Sequence, residues 1–205
     1  MVLAYEESCG MLFSEEYLLC VAQVFVLHVF QRGGKIQMKA IVYTSNAGST
    51  ARYAELLAQA TGLPVYSAGE AKKELPSGSD IIYMGWLMAS GIKGYQASAK
   101  RYNVCAVCGV GMGETGTQTD VVRNRNKIPS EIPLFTLQGN FNIEKLHGVY
   151  KVMMRIMVKA AGKDLSEKTD RTPEEDNLLD MMLHGGEHVS MDNLKAVLEW
   201  YDSQK

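Results

Sequence analysis

Hydrophobic and polar positions follow two different periods along residues 38–139, and their alternation predicts strands joined by helices. Consecutive apolar residues, many of them β-branched, occur at 39–43, 80–85, 103–109 and 132–137, which is typical of strands buried on both faces. A shorter strand is predicted at Val65 and Tyr66. Between these runs, apolar residues such as Tyr53, Leu56 and Leu57 recur at helical spacing. The pattern predicts an α/β fold, a doubly wound five-stranded parallel sheet with helices on both faces.

Three segments rich in glycine and small polar residues follow the predicted strands, at 45–50, 85–94 and 109–116. Because ligands of open α/β sheets bind at the carboxyl ends of the strands, we expect the three segments to converge on one ligand. The predicted binding residues are Thr44, Ser45, Asn46, Ala47, Gly48, Ser49, Thr50, Gly85, Trp86, Leu87, Met88, Ala89, Gly91, Gly109, Val110, Gly111, Met112 and Gly113. No catalytic residue and no metal ligand is assigned.

The first of these segments has the composition of a phosphate-binding loop. It lies at the start of a predicted helix, where unpaired N–H groups and the helix dipole favour an anion. Ser45, Asn46, Ser49 and Thr50 add side-chain donors, and Gly48 lets the backbone approach a ligand closely. The segment has no lysine, so it is not the P-loop of nucleotide-hydrolysing proteins. A capped helix without a ligand is the alternative.

Composition limits the classes of protein to consider. The chain has 205 residues, of which 46% are hydrophobic, enough for one well-packed domain. A net charge of −2 gives no electrostatic reason to expect nucleic acid as a partner. The four cysteines are irregularly placed and do not resemble a disulfide framework, so a reducing cytoplasm is expected.

Residues 1–37 do not continue the strand and helix pattern. The apolar run 21–30 is too short to span a bilayer, and four glutamates precede it where a signal peptide would be basic. We consider two hypotheses, an amphipathic element packed on the domain or translated upstream sequence with Met38 as the initiator. The codons of 32–34 (Arg-Gly-Gly) could form a bacterial ribosome-binding site. A peptide from residues 1–30 in the native protein would exclude the second hypothesis.

The chain after residue 139 reads as helical. A long helix is predicted over 143–161, a second one begins at Thr172-Pro173, and a last one is expected to be capped by Ser190. Residues 166–205 are interpreted as a C-terminal helical appendage of the domain 38–165.

Two pairs of potential metal or redox residues are interpreted as structural. Cys105 and Cys108 are expected to point to opposite faces of a strand. Gly185 and Gly186 interrupt the helical spacing of His184 and His188, and no third ligand is apparent.

The chain from Met38 onward resembles a flavodoxin. The segment 45–50 (Ser-Asn-Ala-Gly-Ser-Thr) is similar to the phosphate fingerprint of that family, although Ala47 stands where a threonine is usual. The resemblance implies the strand order 2-1-3-4-5, FMN as the cofactor, and an isoalloxazine ring between the other two segments, with Trp86 stacked on it. It also implies electron transfer with a redox partner protein or a small-molecule substrate such as a quinone.

Within that family, the chain resembles the branch that includes menaquinone-dependent protoporphyrinogen oxidases. This likeness rests on Gly85 to Gly91 and on the helix after Gln138-Gly139, with Leu146, Tyr150, Lys151, Met153 and Met154. It implies an FMN-dependent oxidoreductase of quinone or porphyrinogen type rather than a pure electron carrier. The alternative is a flavodoxin-like fold without a cofactor that acts as a binding or scaffold module.

Overall fold

A mostly parallel sheet is the central element, as the apolar runs predict. The computed structural model describes residues 37–140 and 148–205, and the parallel strands in these ranges are β1 (Ala40–Thr44), β2 (Val65–Ser67), β3 (Asp80–Met88), β5 (Asn103–Gly111) and β6 (Leu134–Gln138). Their order in the sheet is β2-β1-β3-β5-β6. Strand β4 (Gly91–Ile92) pairs antiparallel with β3. The sheet thus has six strands where five were predicted, because a strand of two residues is too short to leave a hydrophobic pattern. With this extra strand counted, the observed order 2-1-3-5-6 differs from the predicted order 2-1-3-4-5.

Helices cover both faces of the sheet, as predicted. They are α1 (Ser49–Thr61), α2 (Ala68–Glu74), α3 (Tyr95–Arg101), α4 (Thr119–Asn126), α5 (Gly148–Glu167), α6 (Pro173–His184) and α7 (Lys195–Ser203), with a 3₁₀ turn at Asp192–Leu194 before α7. Neighbouring residues of β1 face opposite sides: Ile41 packs with α1 and α7, whereas Val42 packs with α2, α3 and α4. This alternation is what a strand buried on both faces requires.

The C-terminal helix packs against the core of the sheet domain. Leu194 and Val197 are fully buried and pack in one cluster with Tyr53 and Leu57 of α1. The prediction that Ser190 caps this helix is wrong, since the 3₁₀ turn precedes α7 and Leu194 occupies its N-cap. The start of α6 is confirmed, with Thr172 as the N-cap in a reciprocal capping box.

A β-bulge changes the expected geometry of the two cysteines on β5. The register shifts opposite Ile81 and Ile82, so that Cys105 has no partner in the ladder. As a result Cys105 packs against the same cluster as Cys108, not on the opposite face. Neither forms a disulfide with a described residue. Strict alternation fails here because the extra residue of the bulge resets it.

Two expectations lie outside the described residues. These are the hypotheses for the N-terminal extension up to residue 36 and the first residues, 143–147, of the helix predicted over 143–161. Among the helices of the described ranges, none combines the length and apolar character that crossing a membrane requires.

Candidate functional site

The loop between β1 and α1 presents an uncapped helix end at the carboxyl edge of the sheet. Helix α1 has 13 residues, its N-cap is Gly48, and no side chain caps its first turn, which also has no acidic residue. Gly48 has φ of 100°, and no atom lies within 4 Å of the position a Cβ would occupy. The first N–H groups of α1 therefore lack intrahelical partners, and the loop around Gly48 is open beside them. Together with the helix dipole, they can bind an anion.

Three hydroxyl groups among the predicted binding residues, those of Thr44, Ser45 and Ser49, form hydrogen bonds within the protein. The Tyr83 hydroxyl lies 2.6 Å from the carbonyl oxygen of Lys93 and 2.8 Å from Thr44 Oγ1. Since a carbonyl only accepts, Tyr83 donates to Lys93 and the Thr44 hydroxyl donates to Tyr83. Ser49 Oγ accepts from the Asn140 N–H at 3.1 Å and donates to the Asn140 carbonyl at 3.3 Å. Ser45 Oγ accepts from the Gly48 N–H at 3.2 Å.

The side chain of Asn46 differs from these hydroxyl groups. Its Nδ2 is enclosed by protein and has no hydrogen-bond partner within the part of the chain that the structure describes. A buried donor left unpaired costs about 1–3 kcal/mol, so native proteins seldom keep one without a reason. The donor belongs to the same short loop as the open end of α1. The described residues therefore provide no acceptor for this donor.

The second predicted segment, 85–94, is a β-hairpin and not a loop. Gly85, Trp86, Leu87 and Met88 belong to strand β3, and Gly91 belongs to β4. A Cβ on Gly85 would lie 2.5 Å from Ile92 Cγ2 and 2.7 Å from the Lys93 carbonyl oxygen. The absence of a side chain at Gly85 therefore makes room for the returning strand of the hairpin, where a ligand was expected.

The third predicted segment also begins inside the sheet. Gly109, Val110 and Gly111 belong to β5, and only Met112 and Gly113 lie beyond its end. A Cβ on Gly109 would lie 3.2 Å from Leu87, and one on Gly111 would lie 2.9 Å from Leu87. Leu87 of the hairpin occupies the space above both glycines. A side chain at either glycine would therefore press against Leu87.

The three segments nevertheless meet at one edge of the sheet. Thr44 pairs with Gly85, which in turn pairs with Gly109. The Gly139 N–H donates to the Gly111 carbonyl at 2.7 Å. A Cβ on Gly139 would lie 3.2 Å from Ser49 Cβ, which places the end of β6 against the start of α1. The expected convergence of the segments is therefore found, although their internal structure differs from the prediction.

Several residues at this edge were not predicted. Lys93 places its ammonium group 5.7 Å from the centre of the Trp86 ring, so the hairpin carries a cation beside the one aromatic residue that was predicted. Asn140 Oδ1 accepts the N–H groups of His188 and Val189 at 2.6 and 2.9 Å. The polar residue directly after the last strand was the available signal for Asn140. The contact with residues 188 and 189 has no counterpart in the sequence pattern.

Two tyrosine hydroxyls at this edge have raised pKa values and are neutral at physiological pH. Burial raises the pKa of the Tyr83 hydroxyl above its usual value, although its hydrogen bond with Thr44 acts in the opposite direction. Burial also raises the pKa of Tyr53, against the lowering effect of its bond with Asn193. Both hydroxyls therefore remain protonated donors. Among the described residues, no three His, Cys, Asp or Glu side chains are grouped so that they could hold a metal ion.

Comparisons with known proteins give few matches. No protein-family model matches the chain, and no curated protein does. Two solved structures match in part. One is an adenine phosphoribosyltransferase, with 19% identity over 60% of this chain and 81% of that chain and a TM-score of 0.34. The other is adenine phosphoribosyltransferase from Saccharomyces cerevisiae in complex with an imino-altritol bisphosphate and adenine, with 18% identity over 64% of this chain and 85% of that chain and a TM-score of 0.34.

The resemblance to flavodoxins, including the protoporphyrinogen oxidase branch, is wrong. The solved structures that match belong to a different family, and FMN as the cofactor, electron transfer, and a redox partner or quinone are withdrawn with it. A strand followed by a short Gly/Ser loop and a helix occurs in many parallel α/β folds, because any helix after a strand presents the same N–H groups. The fingerprint therefore does not identify a family. A TM-score of 0.34 is in turn too low to transfer a ligand or a reaction to this chain.

Proposed function

We propose that this protein binds a small phosphorylated molecule at the carboxyl edge of its sheet, with the phosphate at the amino end of α1. The observation that carries the proposal is that Asn46 Nδ2, enclosed and without a hydrogen-bond partner among the described residues, belongs to the loop that leads into an uncapped helix end. A phosphate oxygen would accept from Asn46 and from the first N–H groups of α1, and it would interact favourably with the helix dipole. Ser45, whose oxygen accepts from Gly48, still has its own proton to donate.

We expect the ligand to extend from the amino end of α1 away from the β3–β4 hairpin. Leu87 fills the space above Gly109 and Gly111, and we therefore leave these two glycines out of the proposed site. The proposed binding residues are therefore reduced to Ser45, Asn46, Gly48 and the N–H groups at 49–51.

Binding can be tested by titration calorimetry with inorganic phosphate and with matched pairs of a phosphomonoester and its dephosphorylated form. We expect the phosphorylated members to bind and the others not to bind. Asn46→Leu keeps the volume of the side chain but removes the donor. Because a hydrogen bond to a charged group contributes about 1.5–3 kcal/mol, we expect the Kd for phosphate to rise about 10-fold or more.

Stability separates a ligand contact from a structural role for Asn46. Replacing an unpaired buried donor by an apolar group of similar shape should leave the free energy of unfolding unchanged or raise it. Asn103→Leu is the matched control, since the Asn103 amide contacts Asp80 at the amino end of the sheet and should not affect phosphate. Equal binding of both members of each pair would contradict the proposed function.

A further inference from the structure

A short segment near the C-terminus is fastened across the amino end of α1. We call this segment, residues 185–193, the strap. The backbone N–H groups of His188 and Val189 donate to Asn140 Oδ1 and attach the strap there. At its other end Asn193 Nδ2 donates to Tyr53 Oη at 2.7 Å and to the His188 carbonyl at 2.8 Å. Tyr53 is a fully buried residue of α1, so the strap contacts both the helix and the end of β6.

Asn140 connects the strap directly to the first residue of α1. Its side-chain oxygen holds the strap, while its backbone N–H and carbonyl both contact Ser49 Oγ. Ser49 is the first residue of the helix, and its N–H belongs to the proposed phosphate-binding group. A shift of Ser49 towards a bound anion therefore moves the residue to which the strap is attached.

We propose that Asn140 is a positioning residue that couples phosphate binding at α1 to docking of the strap. This inference rests on the proposed function. By linkage, a ligand that stabilises the docked strap must bind more tightly when the strap is docked, and by the same factor. Asn140 does not contact the ligand. It transmits the coupling because its side chain and its backbone bond to two different elements.

Hydrogen exchange measured by mass spectrometry on the full chain tests the coupling. In the wild type, we expect saturating inorganic phosphate to slow exchange in peptides that contain His188 and Val189. Asn140→Ala should lose this effect and raise the Kd for phosphate by about 5-fold or more, the lower range of typical coupling energies. Asn140→Asp keeps an oxygen acceptor and should restore the exchange rate of the strap in the absence of phosphate.

The controls distinguish this inference from the proposed function. Asn103→Ala removes an amide at the opposite end of the sheet and should change neither reading. If the wild type binds phosphate but strap exchange is unaffected by it, or if Asn140→Ala binds equally well, the coupling is overturned and the phosphate site remains. If the wild type does not bind phosphate, both are overturned. The wild-type exchange experiment decides the matter even if Asn140→Ala does not fold.

Discussion

At the scale of single residues, Gly85 shows how the sheet makes room for its own hairpin. The two atoms that a Cβ would meet, Ile92 Cγ2 at 2.5 Å and the Lys93 carbonyl oxygen at 2.7 Å, are both held in place. Ile92 is buried, and the Lys93 carbonyl accepts from the Tyr83 hydroxyl. Neither neighbour can move aside without breaking a contact. The same reasoning explains Gly109 and Gly111, which face Leu87.

We therefore expect Gly85→Ala to lower the free energy of unfolding by about 2–3 kcal/mol, the upper range for overpacking a core. Gly69→Ala is the matched control, because Gly69 lies in α2 and a Cβ there meets only Ser67 Oγ at 3.9 Å. That change should raise stability by about 0.5–1 kcal/mol, since glycine disfavours a helix. Urea unfolding of the two variants measures the difference, and equal stabilities would refute the packing role of Gly85.

At the scale of elements, the β3–β4 hairpin has a strained turn. Met88 pairs with Gly91, so Ala89 and Ser90 form a two-residue turn. Both have positive φ, 47° and 59°, as a type I′ turn requires, although Asn-Gly is the favoured pair there. The turn is held by Asn126, whose Nδ2 donates to the Ser90 carbonyl at 2.8 Å and whose Oδ1 accepts from the Ile92 N–H at 2.7 Å.

Replacing the turn by Asn-Gly should relieve this strain. A non-glycine residue in the left-handed region costs about 1–2 kcal/mol, so we expect the double variant Ala89→Asn, Ser90→Gly to raise the free energy of unfolding by about 1–2 kcal/mol. Thermal and urea unfolding measure the change. A decrease in stability would mean that the side chain of Ala89 or Ser90 makes a contact worth more than the strain.

Removing the support of the turn should have the opposite effect. Asn126 is buried, and Asn126→Ala would leave the Ile92 N–H and the Ser90 carbonyl without their partner. We expect a loss of about 2–4 kcal/mol, because two backbone groups lose their bonds away from water. Asn124→Ala, on the same helix α4 but exposed, is the control and should change stability by less than about 0.5 kcal/mol. A similar small loss in both variants would refute the role of Asn126.

At the scale of the whole molecule, burial of ionisable side chains makes the free energy of unfolding depend on pH in the alkaline range. The pKa of the Cys108 thiol is raised by burial from 9.0 to about 12. The unfolded chain ionises this thiol at lower pH than the folded protein does. The stabilising contribution of the neutral thiol is therefore complete below pH 9.0 and is lost as the pH rises towards 12. Tyr53 and Tyr83, whose pKa values are also raised by burial, act in the same direction.

Between about pH 9 and pH 10.5, one such group lowers the free energy of unfolding by up to about 1.4 kcal/mol per pH unit. We expect Cys108→Ala to show a shallower decline over this range than the wild type, whatever its stability at pH 7. Cys105→Ala, which removes the partly exposed thiol of the same strand, should keep the wild-type decline. Urea unfolding at several pH values measures the slopes, and parallel curves for wild type and Cys108→Ala would contradict the assignment.

The sequence by itself determined the α/β class, the positions of the parallel strands and the cover of helices on both faces. Each of these follows from local hydrophobic period, because a strand buried on two sides and an amphipathic helix leave different patterns. It also determined that three segments meet at one edge, since parallel strands all end there. It did not identify a family, because a short polar loop before a helix is common to many α/β folds.

Only the tertiary structure decided which groups at that edge are available. Ser49 and Asn140 are 91 residues apart, and no local period records that the hydroxyl of one is used by the backbone of the other. The glycines at 85 and 109 were predicted to end their strands, but both strands continue beyond them, and the three glycines at 85, 109 and 111 make room for the hairpin and Leu87. Packing between distant segments selects the partner of each polar group, and among the described residues it provides none for Asn46 Nδ2.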